Sequence, residues 1–170
     1  MRIYLIGYSY SGKTTLGRQL AKLLNYNFFD TDKAIEIKYH TTIPMFFSRY
    51  GEQAFRIIEK QVLQSTAELE NTVISTGGGT ACNDDNIKFI LEHGTAIHLQ
   101  MNVDDILLRI VKSRKKRPLL NGKSPEETKQ FITDQLNTRI VYYNQAPIAV
   151  PALKATAEEI KEKILTMSKE

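Results

Sequence analysis

The chain has a single cysteine, Cys82, in 170 residues. No internal disulfide can form, so a reducing compartment is expected. No window approaches eighteen uninterrupted apolar residues, which leaves no candidate transmembrane helix. The apolar run that follows Met1-Arg2 is only Ile3-Tyr4-Leu5-Ile6 before Gly7. That is too short for the core of a secretion signal, and a cytoplasmic location is expected. There is no internal repeat, low-complexity tract or linker, so residues 1–170 are read as one domain. The histidines, His40, His93 and His98, are widely spaced and form no metal-ligand pattern. Also absent is Asn-Lys-x-Asp, the guanine-reading motif that a GTPase switch would carry.

Evenly spread positive charge is lacking too. The net charge of +4 comes from 23 basic against 19 acidic residues. Five of the basic residues, Lys112, Arg114, Lys115, Lys116 and Arg117, stand in one short run; without them the balance is 18 against 19. A nucleic-acid module needs charge over a wide face, so no nucleic-acid partner is expected. A local basic run asks instead for a local anionic partner. With 42% hydrophobic and 25% charged residues, the chain is that of an ordinary globular domain, not a disordered one.

Short β-rich runs alternate with helical patterns. Strands are expected over 3–6, 27–29, 73–74, 95–101 and 148–150, and helices over 13–24, 43–50, 52–69, 84–92 and 103–111. Within 52–69, Phe55, Ile58, Val62 and Leu69 recur at helical spacing and should face the core. Residues 112–123 read as a loop. Ser124-Pro125-Glu126-Glu127 opens a helix with a capping box, and Thr156 with Glu159 opens the last one, striped by Ile160, Ile164 and Met167. This alternation implies a parallel sheet flanked by helices, with ligands beyond the carboxyl ends of its strands.

The sharpest motif is Gly7-Tyr8-Ser9-Tyr10-Ser11-Gly12-Lys13-Thr14, which fits the P-loop pattern G-x-x-x-x-G-K-[ST]. Chance would produce it in roughly one of two hundred chains of this length. Its backbone N–H groups would cradle phosphate oxygens, with Lys13 on the β- and γ-phosphates and the Thr14 hydroxyl on Mg²⁺. Asp30-Thr31-Asp32 follows a strand. Alone, such a pair is more often a helix N-cap or turn. Beside a P-loop, one carboxylate can aid a metal while the other faces an acceptor hydroxyl. Gly77-Gly78-Gly79 would let the chain pass close to a ligand, or is a plain strand-to-helix turn. Arg117, before Pro118-Leu119-Leu120, sits where a segment could swing over phosphates and neutralise transferring charge. Phe47 and Phe55 are read either as core or as lining of a substrate pocket. Cys82, close behind the glycines, is read as a structural thiol.

These motifs, with Gly51-Glu52-Gln53-Ala54-Phe55-Arg56 and Arg139 ahead of Tyr142-Tyr143, stand in an order and spacing that resemble the shikimate kinase family over nearly the full length. The resemblance implies a single-domain P-loop kinase with a five-stranded parallel sheet and a mobile lid at about 112–124. The substrate-binding helices would lie at about 32–60. It implies transfer of the ATP γ-phosphoryl to the 3-hydroxyl of shikimate in aromatic amino-acid biosynthesis, with Mg²⁺, by a monomer. By the same resemblance Asp32 would orient or deprotonate the nucleophile, and Arg56 and Arg139 would grip the shikimate carboxylate. Gly78 and Gly79 would offer backbone contacts, and Asp30 would support Mg²⁺ through water beside Thr14. Tyr10, Ser11, Gly12, Lys13, Thr14 and Thr15 would hold ATP, Arg109 would flank adenine, and Arg117 would be the lid arginine. The chain departs from the family pattern at Tyr10, where glycine is common, in its more basic lid, and at Val150-Pro151-Ala152-Leu153, near the adenine. The rival reading is another small-acid P-loop kinase, such as one acting on gluconate.

Overall fold

The computed structural model describes residues 1–113 and 122–167. Five strands, β1 (Arg2–Ile6), β2 (Asn27–Asp30), β3 (Thr72–Ser75), β4 (Thr95–Gln100) and β5 (Ile148–Pro151), form one sheet in the order β2-β3-β1-β4-β5. Every neighbouring pair is parallel. The helices are α1 (Lys13–Leu24), α2 (Thr31–Tyr39), α3 (Ile43–Ser65), α4 (Asp84–His93), α5 (Val103–Lys112), α6 (Pro125–Tyr143) and α7 (Ala157–Met167).

Strand alternation divides the core. On β1, Ile3 and Leu5 point to one face, where they meet Leu16 and Leu20 of α1 and Ile160 and Ile164 of α7. Tyr4 and Ile6 point to the other, against Leu63 of α3, Ile87 and Ile90 of α4 and Tyr143 of α6. Each such aliphatic side chain, taken fully out of water, contributes about 1.5–3 kcal/mol. A smaller cluster of Ile35, Phe46, Phe55 and Val62 holds α2 to α3.

Most helix starts follow from their caps. Ser124 and Glu127 form the reciprocal capping box of α6, and the Thr156 hydroxyl accepts the Glu159 N–H at the start of α7. The division expected between 43–50 and 52–69 survives as a kink inside α3 at Gly51, whose φ is 79°. Helical structure in this stretch gives way to a 3-10 turn at Thr66–Glu68. Periodicity gives no helix over α2: only Thr31 and Ile35 of its nine residues are buried, so no apolar stripe marks it. Lys112, taken as loop, is the last residue of α5, and Met167 is exposed rather than part of the α7 stripe. Leu69 is only partly buried. No helix among the described residues is long and apolar enough to cross a membrane.

Candidate active site

The loops that follow β1, β2 and β3 meet at the carboxyl edge of the sheet, where parallel α/β sheets hold their ligands. After β1, the six-residue loop Gly7–Gly12 takes positive φ at Gly7 (136°), Tyr10 (69°) and Gly12 (89°). Such turns of hand aim successive N–H groups into one concavity, a nest for anionic oxygens. Gly12 is also the N-cap of α1, which adds the positive end of that helix. Tyr10 holds a conformation that disfavours a side chain. Its carbonyl accepts from Arg109 Nη1 of α5 at 2.5 Å, so the nucleotide loop is tied to α5 at that residue. Lys13 is buried, and its Nζ donates to the carbonyls of Gly7 (2.7 Å) and Tyr8 (2.8 Å) and to Ser11 Oγ (3.3 Å). Thr15 is exposed in the first turn of α1.

Asp30 caps a helix and also reaches the P-loop motif. Its Oδ1 accepts the Lys33 N–H and caps α2, while Oδ2 accepts the Thr14 hydroxyl at 2.7 Å. Ser75 Oγ lies 3.4 Å from the same Thr14 oxygen. Thr14, Asp30 and Ser75 thus form an oxygen-only cluster with one carboxylate, from α1, β2 and β3. Mg²⁺ favours such hard oxygen donors and keeps several waters and phosphate oxygens rather than a full protein cage, so this cluster fits it. Among the described residues no group of three or more His, Cys, Asp or Glu is placed to hold a metal ion.

The second half of the site lies around the glycine turn after β3. A Cβ on Gly77 would stand 2.6 Å from Asp32 Oδ1, 2.8 Å from Thr80 Oγ1 and 3.1 Å from Glu59 Oε1, so a side chain there would displace these groups. A Cβ on Gly78 would meet Ser9 Oγ of the P-loop at 2.6 Å, and one on Gly79 would meet the Arg56 guanidinium at 3.0–3.1 Å. Glu59, one turn after Arg56, is 1% exposed; it accepts from Arg56 Nη1 at 2.6 Å and from the Thr80 hydroxyl at 2.7 Å. Glu52 Oε1 takes a second Arg56 nitrogen at 3.0 Å. Burial works against charge on Arg56, but Glu59 and Glu52 more than offset it and hold the pKa above the ordinary guanidinium value. Arg139 of α6 donates to the Gly78 carbonyl at 3.3 Å, with its guanidinium 5.3 Å from the centre of the Tyr8 ring. Two guanidiniums therefore rest on consecutive glycines, with the Asp32 carboxylate at the glycine before them. Phe55 is core: it packs on Phe46 and on Phe47, whose ring centre is 4.4 Å away.

The family model described as shikimate kinase matches residues 10–169. The chain belongs to the shikimate kinase family. A shikimate kinase of Parabacteroides distasonis is 41% identical over 157 residues, which cover 92% of this chain and 91% of that one. The shikimate kinase crystal structure from Bacteroides thetaiotaomicron is similar, with a TM-score of 0.89 at 36% identity, covering 100% of this chain and 99% of that one. That of Acinetobacter baumannii, solved in complex with shikimate, gives 0.85 at 35% identity over 98% and 91% of the two chains. The single-domain, five-stranded parallel sheet flanked by helices is thus the architecture of the family. Of the family residues expected from sequence, the structure brings Lys13, Thr14, Asp30, Asp32, Arg56, Gly78, Gly79 and Arg139 to one crevice. Arg109 reaches the same loop through Tyr10. Arg117 and its neighbours Arg114, Lys115 and Lys116 lie outside the described residues. In the stretch expected near the adenine, Val150 and Ala152 are buried while Pro151 and Leu153 are exposed.

Sequence reasoning missed Glu59, which holds Arg56, and Thr80, which holds Glu59, and assigned no task to Tyr143 or His98. Glu59 had a signal: an acid three residues after Arg56 on a helix is an ion-pair spacing.

Proposed function

We propose that this chain transfers the γ-phosphoryl of ATP to the 3-hydroxyl of shikimate, releasing shikimate 3-phosphate and ADP within aromatic amino-acid biosynthesis. The observation that carries this reading is the convergence of Asp32, Arg56 and Arg139 on the glycine turn 77–79, whose Gly78 lies against Ser9 of the P-loop. The complex of the Acinetobacter relative with shikimate supports it. Guanidinium forks match a carboxylate in geometry and charge, and would fix a small acid so that one hydroxyl faces the phosphate cradle.

In this reading the N–H groups from Tyr10 to Thr15, with Lys13, hold the phosphates, and Arg109 flanks the adenine. Thr14, and Asp30 through water, hold Mg²⁺, which when bound supplies positive charge to phosphate oxygens. Asp32 orients the acceptor hydroxyl and takes its proton as the new oxygen–phosphorus bond forms. The bond from γ-phosphorus to the bridging oxygen breaks, and ADP leaves with those electrons. Arg117, outside the described residues, is assigned by the family resemblance to neutralise charge on the transferring phosphoryl. The lone cysteine suits a cytoplasmic setting.

A coupled ADP-release assay with shikimate, gluconate and nucleoside monophosphates tests this. Rapid ADP release with shikimate and Mg²⁺, lost on chelation, is expected. Absence of shikimate-dependent turnover overturns the substrate, and preferential gluconate turnover moves the chain to the rival small-acid class.

A further inference from the structure

The Gly78–Gly79 peptide is held in an unusual way. The carbonyls of Gly77 and Gly79 accept backbone N–H groups of Thr80 (3.2 Å) and Cys82 (3.0 Å), so backbone hydrogen bonds fix those two peptides within the turn. The Gly78 carbonyl is taken by side chains instead: Tyr143 OH at 2.5 Å, Arg139 Nη1 at 3.3 Å and Cys82 Sγ at 3.8 Å. A peptide between two glycines has little steric preference of its own, so its orientation must come from its partners. The shortest of those contacts is the Tyr143 hydroxyl. In a trans peptide the C=O and N–H point in opposite directions. Holding the Gly78 carbonyl toward α6 therefore turns the Gly79 N–H the other way, away from α6.

We propose that Tyr143 is a positioning residue for the acid substrate: by fixing the Gly78 carbonyl it aims the Gly79 N–H at the substrate carboxylate beside Arg56. It also spares Arg139 from serving as the sole anchor of that carbonyl, leaving its other donors for the ligand. The residue is built for this. Its ring is 1% exposed, packed in the core and tilted on His98 with 5.0 Å between ring centres, so the hydroxyl has a fixed place. Burial pushes its pKa far up, which keeps the proton on the oxygen and the group a donor. The proposal deepens the shikimate reading and rests on it for the identity of the acid.

Tyr143→Phe removes the hydroxyl and keeps the ring. The Kd and KM for shikimate should rise about tenfold, the scale of one hydrogen bond to a strongly held group, with kcat and the KM for ATP nearly unchanged. Shikimate methyl ester, with its carboxylate charge removed, should bind wild type and Tyr143→Phe about equally. An equal loss for acid and ester would mean that the hydroxyl serves only the fold, and would overturn the proposal. A third measurement needs no substrate: the ¹⁵N-labelled Gly79 amide of the free protein should be sharp in wild type and exchange-broadened in Tyr143→Phe. An unaltered Gly79 amide overturns the proposal even if shikimate is the wrong acid. Failure of wild type to turn over shikimate, with the Gly79 amide changed as expected, would overturn the substrate assignment alone.

Discussion

The two halves of the crevice are made by opposite means. The nucleotide half is backbone: one six-residue loop, three positive φ angles and a helix N-terminus aim N–H groups into a single concavity. The acid half is side chain: Asp32 from α2, Arg56 and Glu59 from α3, and Arg139 and Tyr143 from α6 meet on a glycine turn after β3. A phosphate is a common anion whose recognition needs charge and N–H groups. A specific ring acid needs guanidinium planes, a base and distances set one by one. The halves touch at two points, Ser9 against Gly78 and the Tyr8 ring under Arg139.

Asp32 offers the largest test of that division, because chemistry and binding should separate there. Asp32→Asn keeps the shape and removes the proton acceptor, so kcat should fall by about 10²- to 10⁴-fold while ATP affinity stays within about twofold. Single-turnover kinetics with a separate ATP titration would measure both. A parallel loss of ATP binding would place Asp32 in the nucleotide half.

The next effects should fall cleanly on opposite sides. Lys13→Ala removes the ammonium from the phosphate loop and should weaken ATP. Arg56→Ala should weaken shikimate. In each case roughly 10- to 150-fold is expected for a charged hydrogen-bond partner, with the other substrate affected far less. Equilibrium titration of each variant with each ligand gives four numbers. Comparable losses in all four would mean one merged site, with no division between backbone and side-chain halves.

That division also explains what could be read from the sequence. The P-loop lies in contiguous residues whose spacing is itself the mechanism, so Gly7 to Thr14 announce a phosphate cradle unaided. The strands are short apolar runs stopped by polar or glycine residues, and most helices carry caps. The acid half is spread from residue 32 to residue 143: the Asp30–Asp32 pair and the glycine triplet stand out beside a P-loop, but the roles of Arg56 and Arg139 became legible only through the family resemblance. A helix such as α2 escapes because Asp30, its cap, reads equally as a functional carboxylate and because only Thr31 and Ile35 are buried. Glu59 escapes because an acid on a helix normally faces water, and its partner Thr80 is supplied by a distant turn. Tyr143 reads as one more core aromatic, since its task depends on which carbonyl the fold brings to its hydroxyl.

The smallest expected effect falls at the seam between the halves. His98 on β4 is 3% exposed, with its ring edge beside Gly7 of the phosphate loop and its face against Tyr143. Burial first, and then the Lys13 charge, lower its pKa to about 4, and its Nδ1 has no hydrogen-bond partner among the described residues. The unfolded chain takes up this proton near the ordinary value of about 6.5, the folded chain only near 4. Stability is therefore full above about pH 6.5 and falls as the pH drops toward 4. Between pH 7 and 5 the loss from this residue is about 2 kcal/mol. Urea unfolding of wild type and His98→Leu at those two pH values isolates it. Wild type should lose about 2 kcal/mol more than the variant on acidification, once the background titration of carboxylates cancels. Parallel losses would mean that His98 titrates normally in the fold, and the seam between phosphate loop and acid turn would then admit water rather than exclude it.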